Sequence, residues 1–180
     1  MTVNAPILFV LGPSGAGKTT LGQWLAEDLH FLWIEIDQWM TDGIDRANLR
    51  PEWNEFWDRC QNGAIASTLR ARVLNDGARG AVLTFPSLVV FSVQQFAVLE
   101  QAGIRVLVLY GSEEDCLAAF LKREKESGRN LSDEHWRKNN CDTNKLLADS
   151  SYAPYRVTVF QTARFLGRAA LVAVVRERVT

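Results

Sequence analysis

Ile7-Leu8-Phe9-Val10-Leu11, then Gly12-Pro13-Ser14-Gly15-Ala16-Gly17-Lys18-Thr19, then Thr20-Leu21-Gly22-Gln23-Trp24-Leu25-Ala26-Glu27-Asp28-Leu29: these three segments, read in order, decide the fold. The first is an unbroken apolar run of strand length. The second satisfies G-x-x-x-x-G-K-[ST] at every fixed position. In the third, Leu21, Leu25 and Leu29 recur at i, i+4 and i+8, which is one stripe of a helix. Strand, glycine loop, helix is the arrangement that cradles the phosphates of a nucleoside triphosphate. Glycine lets the backbone turn tightly and approach the phosphates, the loop N–H groups point inward, and the helix N-terminus adds positive potential. Lys18 is the residue to bridge the β- and γ-phosphates, and Thr19 the one to hold Mg²⁺ through its hydroxyl. Gly12, Pro13, Ser14, Gly15, Ala16, Gly17, Lys18, Thr19 and Thr20 therefore form the candidate triphosphate site. The bland alternative is a glycine-rich strand–helix turn without a ligand; the full motif in its proper context argues against it.

Working outward, the bulk properties narrow the class. The chain has 180 residues, enough for one α/β domain over 1–180. Lys+Arg total 20 against 21 Asp+Glu, so no basic footprint for nucleic acid is spread over the surface. Cys60, Cys116 and Cys141 have neither metal-ligand spacing nor an even disulfide framework, which fits a reducing cytoplasm. No signal-peptide pattern stands at the N-terminus. The apolar run 169–175 is far too short to span a bilayer and reads as a buried helix face. The expected partner is a small molecule, with no nucleic acid and no membrane, and the expected assembly is a monomer or homodimer.

Periodicity predicts alternating strands and helices: strand 7–11, helix 18–30, strand 32–36 ending at Asp37, helical 45–75 with Pro51 at a helix start, strand 81–85, helix 93–102, strand 104–110, helix 113–126 with Ser112 as N-cap, a helix to 147, strand 157–160 and helix 167–179. This alternation implies a three-layer α/β/α P-loop NTPase fold with a five-stranded parallel sheet. Ligands in such sheets bind at the carboxyl ends of the strands, so the tips of the first three strands are where chemistry is expected.

The glycine loop alone does not separate motors, switches and kinases. D-x-x-G and N-K-x-D, usual in GTPase switches, are absent; Asn144-Lys145-Leu146-Leu147 lacks the closing Asp. Strands 81–85 and 104–110 end in Phe85 and Tyr110, not in the Asp-Glu of mechanical ATPases. What remains resembles the small-molecule and nucleoside-monophosphate kinases, above all shikimate kinase and gluconate kinase. The resemblance covers most of the chain in element order and rests on specific residues at the glycine loop and at Glu35-Ile36-Asp37. Those kinases carry D-x-D there. The resemblance implies ATP and Mg²⁺, with a metal role for the first acid, here Glu35, and contact with the substrate hydroxyl for the second, Asp37. Glu35 for Asp is a departure from the pattern.

An acid suits that position because an acceptor hydroxyl must be aimed at the γ-phosphorus and must lose a proton. The plain alternative for Asp37 is an N-cap or a solvated strand end. Lys122-Arg123-Glu124-Lys125-Glu126-Ser127-Gly128-Arg129 resembles the start of a lid over about 122–138, with Arg129 as the catalytic lid arginine and Arg123 as the one that stacks on adenine. The alternative there is a solvated helix end with pairs such as Lys122–Glu126. Residues 40–78 occupy the place of the substrate-binding helices and hold Arg46, Arg50, Arg59, Arg70 and Arg72, of which Arg59 is the closest positional match for a carboxylate-binding arginine. Trp53 and Trp57 read as packing and Trp39 as a pocket wall; His30 and His135 read as surface or cap residues. The glycines that follow the third strand in shikimate kinase are replaced by Thr84-Phe85-Pro86-Ser87, and the histidines typical of gluconate kinase are missing. The acceptor is therefore left open, as are two rivals: a nucleoside or nucleotide kinase, and a P-loop nucleotide-binding regulatory protein without turnover.

Overall fold

The computed structural model describes residues 5–37 and 50–179, with only the backbone at 50–53. Trp39, Arg46 and the side chains of Arg50 and Trp53 lie outside the described residues. Five strands form one parallel sheet in the order β2-β3-β1-β4-β5: β1 (Ile7–Leu11), β2 (Phe31–Glu35), β3 (Gly80–Thr84), β4 (Ile104–Tyr110) and β5 (Arg156–Thr158). The five-stranded parallel sheet expected from the sequence is the one observed.

The two-residue period of β1 builds two cores. Ile7, Phe9 and Leu11 face one layer, made with α2 (Arg50–Gln61), α3 (Ile65–Asn75) and α4 (Val93–Gln101) through residues such as Leu69, Val73, Phe96 and Leu99. Leu8 and Val10 face the other, which draws Leu21 and Leu25 from α1 (Lys18–Leu29), Phe120 from α5 (Glu113–Glu126), Trp136 from α6 (Asp133–Ala148) and Val172 from α7 (Arg168–Val179). Trp57 stacks on Phe91 at 5.5 Å between ring centroids, a packing residue as expected.

Local chemistry sets the element ends. Ser112 Oγ accepts from Asp115 N at 3.0 Å and caps α5 as predicted. Ser92 and Gln95 form a reciprocal capping box at α4. His30 takes φ 55 and closes α1 through its N–H to Leu25 O, so Phe31 enters β2 directly and the strand begins one residue before the predicted 32.

The largest departure is at the end predicted as strand 157–160. There β5 stops at Thr158, and β6 (Phe160–Gln161) and β7 (Arg164–Phe165) form an antiparallel hairpin. The chain turns through Thr162 (φ 47) and Ala163 (φ 58), both in the left-handed region that such tight turns demand. A 3₁₀ turn, Ser150–Tyr155, precedes β5.

Register then places the site. Val10 and Glu35 both pair with Thr84, so the tips of β1, β2 and β3 end at one level beneath the glycine loop. With β2 and β3 on one side of β1 and β4 on the other, the cleft opens at the point where the strand order reverses.

Candidate functional site

Backbone geometry makes the phosphate loop. Gly15 (φ 87) and Gly17 (φ 83) take left-handed conformations, and neither has room for a Cβ: one would strike the carbonyl of Cys116, the other the ring of Phe165. Gly17 is the N-cap of α1 and has no side chain to occupy the helix N-terminus. Ala16 N donates to Pro13 O at 3.2 Å and closes the loop. Lys18 Nζ donates to Gly12 O at 2.7 Å and Pro13 O at 3.0 Å, so the ammonium lies against the loop's own carbonyls.

A cleft of about 310 Å³ opens here, and its lining joins the loop residues Ser14, Gly15, Gly17, Lys18, Thr19 and Thr20 to Glu35, Asp37, Thr84, Phe85, Arg123 and Phe165. The two carboxylates expected at the tip of β2 thus face the phosphate loop. Thr19 Oγ1 donates to Glu35, which brings together the two residues expected at a metal. Oxygen donors of this kind suit Mg²⁺, which takes few protein ligands and completes its shell with phosphate and water. Among the described residues no group of three or more His, Cys, Asp or Glu forms a separate metal cage.

Burial brings the Lys18 ammonium down to about 8; Asp37 and Glu35 pull the other way, while Arg123 adds to the fall. Cys116, beneath the loop, is fully buried, and burial pushes its thiol up to about 12, so it packs and does not react.

Helix α6 clamps the loop from behind. Asn140 Oδ1 accepts from Ser14 N at 2.9 Å, and Trp136 Nε1 donates to Ser14 O at 3.2 Å. Ser14 Oγ bonds Ser87 Oγ at 3.0 Å, and Thr143 Oγ1 donates to Ser87 O at 3.1 Å. One helix face therefore ties the phosphate loop to the loop that follows β3. On the β2 side, Trp33 Nε1 donates to Thr84 Oγ1 at 3.1 Å and fixes that hydroxyl in the cleft wall.

The predicted arginines separate. Arg123 lines the cleft, with its guanidinium 5.4 Å from the Phe120 ring centroid. Arg129 is not among the lining residues; it binds the carboxylate of Glu124, Nε to Oε2 at 2.7 Å. The Lys122–Glu126 pair is present at 3.9 Å between exposed side chains. Arg59 donates to Thr68 and lines a separate hollow of about 270 Å³ with Glu55 and Arg72, away from the cleft. Arg70 donates to Ala102 O at 2.9 Å, and Arg72 pairs with Asp76 at 3.6 Å.

With this geometry in view, the likeness to known proteins can be located. The shikimate kinase family matches residues 14–50. Shikimate kinase 2 of Escherichia coli O7:K1 is 35% identical over 81 residues, which are 43% of this chain and 46% of that protein. Shikimate kinase 2 of Shigella flexneri matches with the same identity and coverage. The chain spans about half the length of the curated relatives it matches. A shikimate kinase from Acinetobacter baumannii, solved in complex with shikimate, superposes with a TM-score of 0.56 at 22% identity, covering 97% of this chain and 93% of that one. A gluconokinase from Sinorhizobium meliloti 1021 gives 0.50 at 18% identity, covering 97% and 94%.

The chain has the fold of the P-loop kinases. The matches support the resemblance to P-loop small-molecule kinases read from the sequence. The sequence reading missed Asn140, Trp136 and Phe165 as parts of the site, and it noted Thr84 and Ser87 only as replacements for glycine. Phe165 belongs to the unforeseen hairpin. Asn140 shares the buried stripe of α6 with Trp136, Thr143, Asn144 and Leu147, a face too polar for the apolar period to announce it.

Proposed function

We propose that this protein is an ATP-dependent kinase that transfers the γ-phosphoryl group to a hydroxyl of a small molecule. The observation that carries the reading is the meeting of Lys18, Thr19, Glu35 and Asp37 in one cleft. The loop amides and Lys18 hold the triphosphate. Lys18 leaves the Gly12 and Pro13 carbonyls to do so, since an anion is a better partner for an ammonium than a carbonyl is. Thr19 and Glu35 would hold Mg²⁺, which would supply charge neutralisation of the triphosphate. Asp37 accepts the acceptor's O–H; as the new O–P bond forms and the bond from Pγ to the β-phosphate oxygen breaks, the proton passes to the Asp37 carboxylate and ADP leaves. Arg123 and the Phe165 ring flank the base. Within one domain, residues 40–78 take the acceptor and 122–138 form the lid, where Arg129 serves by bracing the Glu124 carboxylate it pairs with. A reducing cytoplasm suits three unpaired cysteines.

The test is a screen for ADP release from Mg-ATP with polyols, sugar acids, aminoglycoside-like compounds, nucleosides and nucleoside monophosphates. The expected result is acceptor-dependent release with one hydroxyl class. Release with nucleosides or monophosphates alone would make it a nucleotide-directed kinase. Tight Mg-ATP binding without release across the whole panel would make it a regulatory nucleotide-binding protein.

A further inference from the structure

Glu124 stands in a run of charged residues on the last turn of α5, yet its side chain is 2% exposed, while its partners Arg123 and Arg129 are 54% and 64% exposed. A carboxylate is withdrawn from water only where its partners satisfy it. Here one carboxylate serves two guanidinium groups. Oε1 accepts from Arg123 Nε at 3.0 Å and Nη2 at 2.7 Å, and from Arg129 Nη2 at 3.2 Å. Oε2 lies 2.7 Å from Arg129 Nε as an ion-pair contact and accepts no hydrogen bond among the described residues, so that oxygen is held by charge alone. Arg129 N also donates to Glu124 O at 2.8 Å, which fastens the turn after the helix to the same residue.

The charges of this cluster do not cancel. One carboxylate against two guanidiniums leaves a single positive charge, and the neighbouring Lys122 is already paired with Glu126. The excess is presented through Arg123, which lines the cleft with Lys18 and lies close enough to oppose its ammonium. An anion in the cleft would complete the set.

We propose that Glu124 is a positioning residue for Arg123: it holds that guanidinium at the rim of the nucleotide cleft, and its second partner, Arg129, keeps the buried carboxylate neutralised when Arg123 turns to the bound nucleotide. The inference rests on the kinase reading. Arg129 acts through Glu124 in this scheme, which explains why it touches the carboxylate and not the cleft.

The experiment is a double-mutant cycle on Mg-ATP affinity by titration calorimetry, with thermal melts of every variant. Glu124→Gln keeps the shape of the side chain and removes its charge. It is expected to weaken binding about tenfold in the parent and less than about twofold in Arg123→Ala, because its effect passes through Arg123. Equal losses in both backgrounds would overturn the proposal. Should Glu124→Gln fail to fold, Arg129→Ala takes its place: its side chain is exposed, and it is expected to weaken binding several-fold in the parent and not in Arg123→Ala. A parent that does not bind Mg-ATP at all would overturn the kinase reading and this one with it; binding with additive losses would overturn this one alone.

Discussion

The two sides of the cleft are held by different means. On the nucleotide side the work is done by main chain: left-handed glycines at 15 and 17, a helix N-terminus, and an ammonium resting on loop carbonyls. On the proposed acceptor side it is done by side chains at the strand tips, Asp37 and Thr84 fixed by Trp33, with Glu35, paired to Thr19, between the two sides. A main-chain site depends on glycine spacing and tolerates change elsewhere. A side-chain site can be altered one residue at a time, which is how a common phosphate loop comes to serve many acceptors.

This contrast is broken most sharply at Lys18 and Asp37. Lys18→Ala removes the fixed counter-charge of the transferring group and should cut turnover on the order of a thousandfold while also weakening Mg-ATP binding. Steady-state kinetics and calorimetry check it together, and near-parent activity would remove Lys18 from the mechanism. Asp37→Asn should act on the other side alone: Mg-ATP affinity within about twofold, kcat down about a hundredfold. A kcat that survives would move the proton acceptor to another group, Glu35 being the other carboxylate that lines the cleft.

The same division explains what could be read without a structure. The glycine loop was legible because local spacing alone dictates its shape, and β4 was legible over its whole length as Ile104–Tyr110 because a central parallel strand is apolar almost throughout, here broken only by the exposed Arg105 near its start. The hairpin at 160–165 was not, since Thr162-Ala163 carries none of the Asn-Gly or Asp-Gly signal that announces a tight turn. Asn140 meets Ser14 across 126 residues, a contact that no local pattern encodes. Glu124 was hidden in another way: in sequence it is one acid among alternating charges, and only packing reveals that it alone of that run is buried. Arg59 was placed by positional analogy alone; α2 turns it toward Thr68 on α3, in a hollow apart from the cleft.

A smaller effect is expected where the two sides are joined. Asn140→Ala leaves Ser14 N without its acceptor, in a region where Asn140 is itself 2% exposed. The unsatisfied donor and the lost packing should cost about 1–3 kcal/mol in stability, read from denaturant unfolding. If the clamp from α6 shapes the phosphate loop, Mg-ATP affinity should fall several-fold at temperatures where the variant remains folded. A stability loss with affinity unchanged would reduce Asn140 to a core residue and leave the loop self-supporting.

The mildest probe is pH. The ordinary lysine value of 10.5 holds in the unfolded chain, and burial brings Lys18 down to about 8 in the fold. Between these values the unfolded state binds more protons, so stability rises as pH climbs through that window, and below about 8 the full penalty of burying the ammonium is present. Nucleotide binding runs the opposite way. A triphosphate favours the charged lysine and lifts its pKa, so affinity should decline as pH rises past about 8. Near that pH, binding should take up about half a proton, because half of the free protein's lysine must be recharged. Calorimetry in two buffers of different ionisation enthalpy measures this directly. Uptake should vanish toward pH 6.5 and be absent in Lys18→Arg, whose guanidinium stays charged throughout. Equal uptake in the parent and in Lys18→Arg would mean that the titrating group lies on the side-chain half of the cleft, and the nucleotide side would then be a main-chain site with a lysine that never loses its proton.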